Sequence, residues 1–143
     1  MYLIVSNSTT EFISKHRIKK LVTKTIDNPL SIGTGNKAKS VKRPVVLVFH
    51  DQDADLKYLE SLDYDIEVAK NILEIVDTKN MHQHGVKAMN PACLERVLDE
   101  LKIPSRFLHN AGNDAVYTMQ AMISLAFKQR LRSIERALEE ARG

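Results

Sequence analysis

Two short stretches carry side chains of the right type and spacing to work on a metal ion or a phosphate. The first, His50-Asp51-Gln52-Asp53-Ala54-Asp55, sets three carboxylates within five residues. Carboxylates so close repel one another unless a cation or a basic group sits among them. The second, His109-Asn110-Ala111-Gly112-Asn113-Asp114-Ala115, sets an imidazole five positions before an aspartate. Mg²⁺ prefers hard oxygen ligands, and a neighbouring histidine is suited to take a proton from metal-bound water. A structural reading stands beside each. Asp51 or Asp53 serves as a cap favoured by the helix macrodipole, Asp114 caps a helix, and His109 bonds a loop carbonyl.

Such side chains need rigid elements to hold them. Val45-Val46-Leu47-Val48-Phe49 is the clearest strand, and its lack of alternation predicts that both faces are covered, as in a central parallel strand. His50–Asp55 then falls at a strand's carboxyl end, where ligands bind in open α/β sheets. A helix is expected from Asp53 to Leu62, with Asp55 in its first turn and Leu56, Leu59 and Leu62 on one side. Ile72–Val76 reads as a second buried strand. Asn90-Pro91 supplies an N-cap and first-turn proline for a helix through Lys102, which buries Leu94, Val97, Leu98 and Leu101. The last helix is predicted from about Ala115 to Arg142, about 40 Å long. Its first half is amphipathic, and its charged end, residues 128–143, is expected to project.

Upstream, Tyr2–Val5 is of strand type. Phe12–Ile26, rich in β-branched residues, reads as one or two edge strands with basic side chains facing water. Asp27-Asn28-Pro29 and Gly33-Thr34-Gly35-Asn36 are turn chemistry. The sum is a single α/β domain over residues 1–143. Other residues carry two readings each. His82 and His84 are expected in a surface loop, not at zinc, since no cysteine is near. His16 is solvated or touches phosphate. Cys93 is expected as a small core residue. Phe107, Tyr58 and Tyr64 either stack bases or fill the core.

Composition narrows the classes. With 43% of its 143 residues apolar, the chain can support a core and is not a disordered one. No run approaches the roughly 18 apolar residues of a membrane-spanning helix. The start, MYLIVSNSTT, lacks the pattern of a signal peptide. One cysteine excludes an internal disulfide and a Cys-rich zinc site. An intracellular location, cytoplasm or nucleus, is therefore expected. Charge is uneven: residues 1–43 balance at +7 and residues 44–143 at −4. Lys15, Arg17, Lys19, Lys20, Lys24, Lys37, Lys39, Lys42 and Arg43 form a basic first third suited to phosphates, or simply a solvated surface.

Several strings resemble a known family. Leu47-Val48-Phe49-His50 with Asp55, and His109 with Asp114-Ala115, are similar to the second and third motifs of the DEDDh 3′-to-5′ exonucleases, in the ribonuclease-H-like superfamily. His109 through Thr118, with Ile75-Val76-Asp77-Thr78, narrows the likeness to the fungal family named for "good for full DEAD-box protein activity". It covers roughly residues 12–128, and Ala54 stands where an aromatic residue is usual. The resemblance implies a mixed sheet flanked by helices. It further implies Mg²⁺ or Mn²⁺ held by Asp55 and Asp114, His109 as general base, and single-stranded RNA or DNA as partner. The family's first motif, Asp-x-Glu, has no counterpart ahead of Asp55; Asp65-Ile66-Glu67 lies after the second motif. The resemblance thus implies a chain that begins after the first strand, with weak or absent catalysis and an open sheet edge prone to self-association. Tyr2–Val5 is a candidate to fill that place without bringing a carboxylate.

Overall fold

In a computed structural model, residues 2–6, 9–32, 39–66 and 68–143 are described. The Gly33–Asn36 turn, Lys37 and Glu67 lie outside them. The elements run β1 (Tyr2–Ser6), β2 (Thr9–Ile13), α1 (Lys15–Ile26), β3 (Pro29–Ile32), β4 (Lys39–Lys42) and β5 (Val45–Phe49). They continue with α2 (Gln52–Ser61), β6 (Ile72–Asp77), α3 (Thr78–Val86), α4 (Leu94–Glu100) and α5 (Ala111–Glu140). The architecture is mixed α/β, as expected.

Strands pair two by two among the described residues. β1 and β2 form an antiparallel hairpin with Tyr2 opposite Ile13, so β1 does not stand beside β5. β3 and β4 form another, with Pro29 opposite Lys42. β5 pairs with β6. The Val45 N–H donates to the Asn71 carbonyl just ahead of β6, while the Asp51 and Gln52 N–H groups donate to the Asp77 carboxylate at its far end. Starts meet and ends meet, so the two strands are parallel. Val46 is nevertheless exposed, which corrects the expectation that both faces of β5 are covered.

The chain forms two compact units, residues 1–47 with 53–75, and residues 48–52 with 76–143. The first is built on α1. Residues 15–26, expected as strand, are helical because Ile18, Val22 and Ile26 recur every four residues and Ser14 caps the start, accepting from the Arg17 N–H at 3.3 Å. Ile18 packs with Leu62, and Val22 and Leu59 lie against them. The Asn71 side chain donates to the Ile26 carbonyl at 2.8 Å and the Arg43 carbonyl at 3.2 Å, tying the end of α1 to the strand starts.

In the second unit α3, α4 and α5 pack around Ala92, Val97, Leu98, Ala121 and Leu125. The helix expected from Asn90-Pro91 starts later, at Leu94, with Cys93 as N-cap, and Cys93 is exposed instead of buried. His82 and His84 sit on α3, not in a loop. His82 is buried, with Nε2 2.7 Å from Glu100 Oε2. That bond, followed by one from Arg96, holds the Glu100 carboxyl below the usual range. α5 spans 30 residues, about 45 Å.

Candidate functional site

Both candidate stretches lead into helices, and in each the turn before the helix contains a non-glycine residue in the left-handed region. Asp51 has φ 72° and His109 has φ 67°. Such conformations cost energy and persist where the surroundings fix them.

At Asp51 the fixing group is Asp77, which the sequence reading noted only as part of a family string. Its buried carboxylate accepts from the Asp51 N–H (3.2 Å), the Gln52 N–H (3.0 Å) and the Lys79 N–H (2.8 Å), and it is the N-cap of α3. Burial acts to raise its pKa, but the backbone bonds from Gln52, Asp51, Lys79 and Asn80 outweigh it, so the carboxyl titrates below its ordinary value. One carboxylate thus satisfies orphan donors at the starts of both α2 and α3. Asp51 in turn pairs with Lys79 at 2.8 Å, which answers part of the charge crowding seen in the sequence.

His50 completes this knot. Its Nε2 lies 3.2 Å from the Ala92 carbonyl, and its Nδ1 lies 2.9 Å from Thr78 Oγ1, which also reaches the Phe49 carbonyl. Burial lowers the His50 pKa against the opposing pull of the Ala92 carbonyl and of Asp77 and Asp51. A carbonyl only accepts, so in the neutral ring the proton sits on Nε2, and the single proton of the Thr78 hydroxyl serves either the Phe49 carbonyl or Nδ1. His50 is a strand-tip lock held between Ala92 and Thr78.

His109 stands differently. Its side chain is exposed, and its N–H donates to Asp114 Oδ1 at 3.2 Å. The cap of α5 is Asn110, whose Oδ1 accepts from the Gly112 N–H (3.1 Å) and the Asn113 N–H (3.3 Å). Asp114 is therefore not the cap. It lies in the first turn and fixes the backbone of His109, and a carboxylate has a second oxygen for another ligand. The Asn113 amide donates to the Phe107 carbonyl at 3.0 Å, and the Tyr117 hydroxyl accepts from the Arg106 N–H at 2.9 Å, so the loop is pinned to α5. The structure brings the His109 backbone to Asp114. Asp55, the fourth residue of exposed α2, belongs to the other unit.

The basic residues take different places. Lys19 lies 3.9 Å from Asp63, Lys42 lies 3.6 Å from Asp27, and Arg43 donates to the Thr25 carbonyl at 2.9 Å, where it serves the end of α1. His16, Arg17, Lys20 and Lys24 share the exposed side of α1, opposite Ile18 and Val22, and Lys15 is also exposed. Of the aromatic candidates, Phe107 is 82% exposed while Tyr64 is buried.

Among the described residues, no three His, Cys, Asp or Glu side chains converge as a ready metal cage. No helix among them is long and apolar enough to cross a membrane. Comparison with protein-family models matches residues 5–125 to the family described as DNA polymerase III subunit epsilon-like, C-terminal domain. No curated protein matches the chain.

Proposed function

The chain belongs to this DEDDh exonuclease-related family, and from that membership we propose a nucleic-acid-binding domain of exonuclease ancestry that holds a single strand without cleaving it unaided. Within the family, the string His109 through Thr118 favours the fungal "good for full DEAD-box protein activity" group. The observation that carries the binding role is the exposed basic side of α1, where Arg17, Lys20 and Lys24 follow at helical spacing beside His16. Cations along one helix face suit a phosphate backbone, and such contacts carry affinity without sequence preference.

Exonucleases of this family use divalent metals. Hard carboxylate oxygens such as those of Asp55 and of Asp114, each in its own unit, suit Mg²⁺ or Mn²⁺, and the exposed His109 imidazole fits a proton acceptor. When bound, the cation would supply charge for the phosphoryl oxygens and acidify water. A two-metal clamp needs carboxylates beyond Asp55 and Asp114, so the role proposed for these residues is binding.

The test is a labelled single strand read two ways. Anisotropy at low salt should report binding, lost when Arg17, Lys20 and Lys24 become Ala. A 3′-labelled strand with Mg²⁺ or Mn²⁺ should stay intact. Cleavage that disappears in His109→Ala overturns the inactive reading, and absence of binding at low salt gives the role to a protein-binding module.

A further inference from the structure

The second half of α5 is exposed along its whole length, yet its apolar residues are not scattered. Phe127, Leu131, Ile134 and Leu138 follow at intervals of four, three and four, which puts them on one seam, and each is 43–69% exposed. That is the spacing of a coiled-coil stripe. Isolated helices of about 12–15 residues are marginal in water, and most helical stability in proteins comes from packing an apolar face. A seam of large side chains left open on such a segment calls for an occupant.

The charges beside the seam identify it. Lys128 and Arg130 flank the first half of the seam and Glu135 its second half, whereas Arg132, which donates to the Gly85 carbonyl, Arg136, Glu139 and Glu140 fall further round the helix. A cation early and an anion late on one flank are complementary to the same flank running the other way. We propose that this seam is a homodimer interface, in which the ends of two α5 helices pack antiparallel. In this register Phe127 meets Leu138 of the second copy and Leu131 meets its Ile134. Lys128 lies beside Glu135 of the second copy, and the two-fold axis repeats every contact. A parallel pair would instead set Arg130 beside Glu135 of the second copy and leave Lys128 without an acidic neighbour across the seam. The antiparallel pair also opposes the helix dipoles. This interface lies on a helix face and is distinct from pairing at a sheet edge.

Sedimentation equilibrium of the full chain from about 1 μM to 1 mM should show a reversible monomer–dimer equilibrium. Leu131→Glu should raise the dissociation constant at least about a hundredfold, since two copies of the charge enter one seam. Gln129→Lys, on the opposite side of the helix, should leave it unchanged. Lys128→Glu should weaken the dimer about threefold or more, and Lys128→Glu combined with Glu135→Lys should restore it. A chain monomeric throughout overturns the proposal, as does a dimer indifferent to Leu131→Glu. Failure of the double variant to restore association overturns the antiparallel arrangement.

Discussion

Asp77 shows how much one side chain can organise. Its carboxylate receives backbone N–H groups from the starts of two helices, and these keep its pKa depressed despite burial. Asp77→Asn places an amide N–H₂ against donors and should cost about 2–3 kcal/mol in stability, measured by urea denaturation at neutral pH. The pH dependence follows from the direction of the shift. The folded pKa lies below the unfolded one, so the contribution is complete above the unfolded value of about 3.9 and is lost as pH falls through the folded value. Wild type and variant should therefore converge in stability as the solution becomes acidic, and a gap that persists there rejects ionisation as the source. His109→Ala, by contrast, removes an exposed ring whose structural bond is made by its backbone, so it should change stability by no more than about 0.5 kcal/mol.

At the scale of elements, α4 and α5 meet in a small core, which makes its centre sensitive. Leu98 is fully buried there beside Val97 and Ala121. Leu98→Ala should cost about 2–5 kcal/mol, the spread reflecting how far the helices close over the cavity. α1 is held differently, by two buried isoleucines, by its Ser14 cap and by Arg43 and Asn71 on carbonyls at its end. Arg43→Ala should therefore loosen the end of α1, seen as faster amide exchange at the last turn, whereas Lys20→Ala should leave that exchange unchanged.

For the whole molecule, the division into units falls within β5, after Leu47, and within β6, after Ile75. Charge is divided along the sequence as well, with +7 in residues 1–43 and −4 in the rest. Affinity for a single strand should therefore fall steeply with salt. Replacing Arg17, Lys20 and Lys24 with Ala should reduce the slope of log K against log[salt] by about 2 if all three meet phosphates. A slope unchanged by those substitutions places the contact elsewhere.

The sequence by itself determined what depends on neighbours along the chain. The apolar run at 45–49, the leucine spacing of α2 and the long helix were all legible, because periodicity sets them. It misled where composition and period disagreed. The β-branched residues of 15–26 suggested strand, while the four-residue recurrence of Ile18, Val22 and Ile26 and the Ser14 cap were the signals of a helix. Tertiary structure alone decided the rest. Asp77 serves residues 26 positions away, His82 is buried because Glu100 of another helix is there to bond it, and Arg43 and Lys42 are engaged by α1 and Asp27. Partners that far apart in sequence leave no local pattern, since the chain must fold before the hydrogen bond or ion pair that gives each residue its role exists.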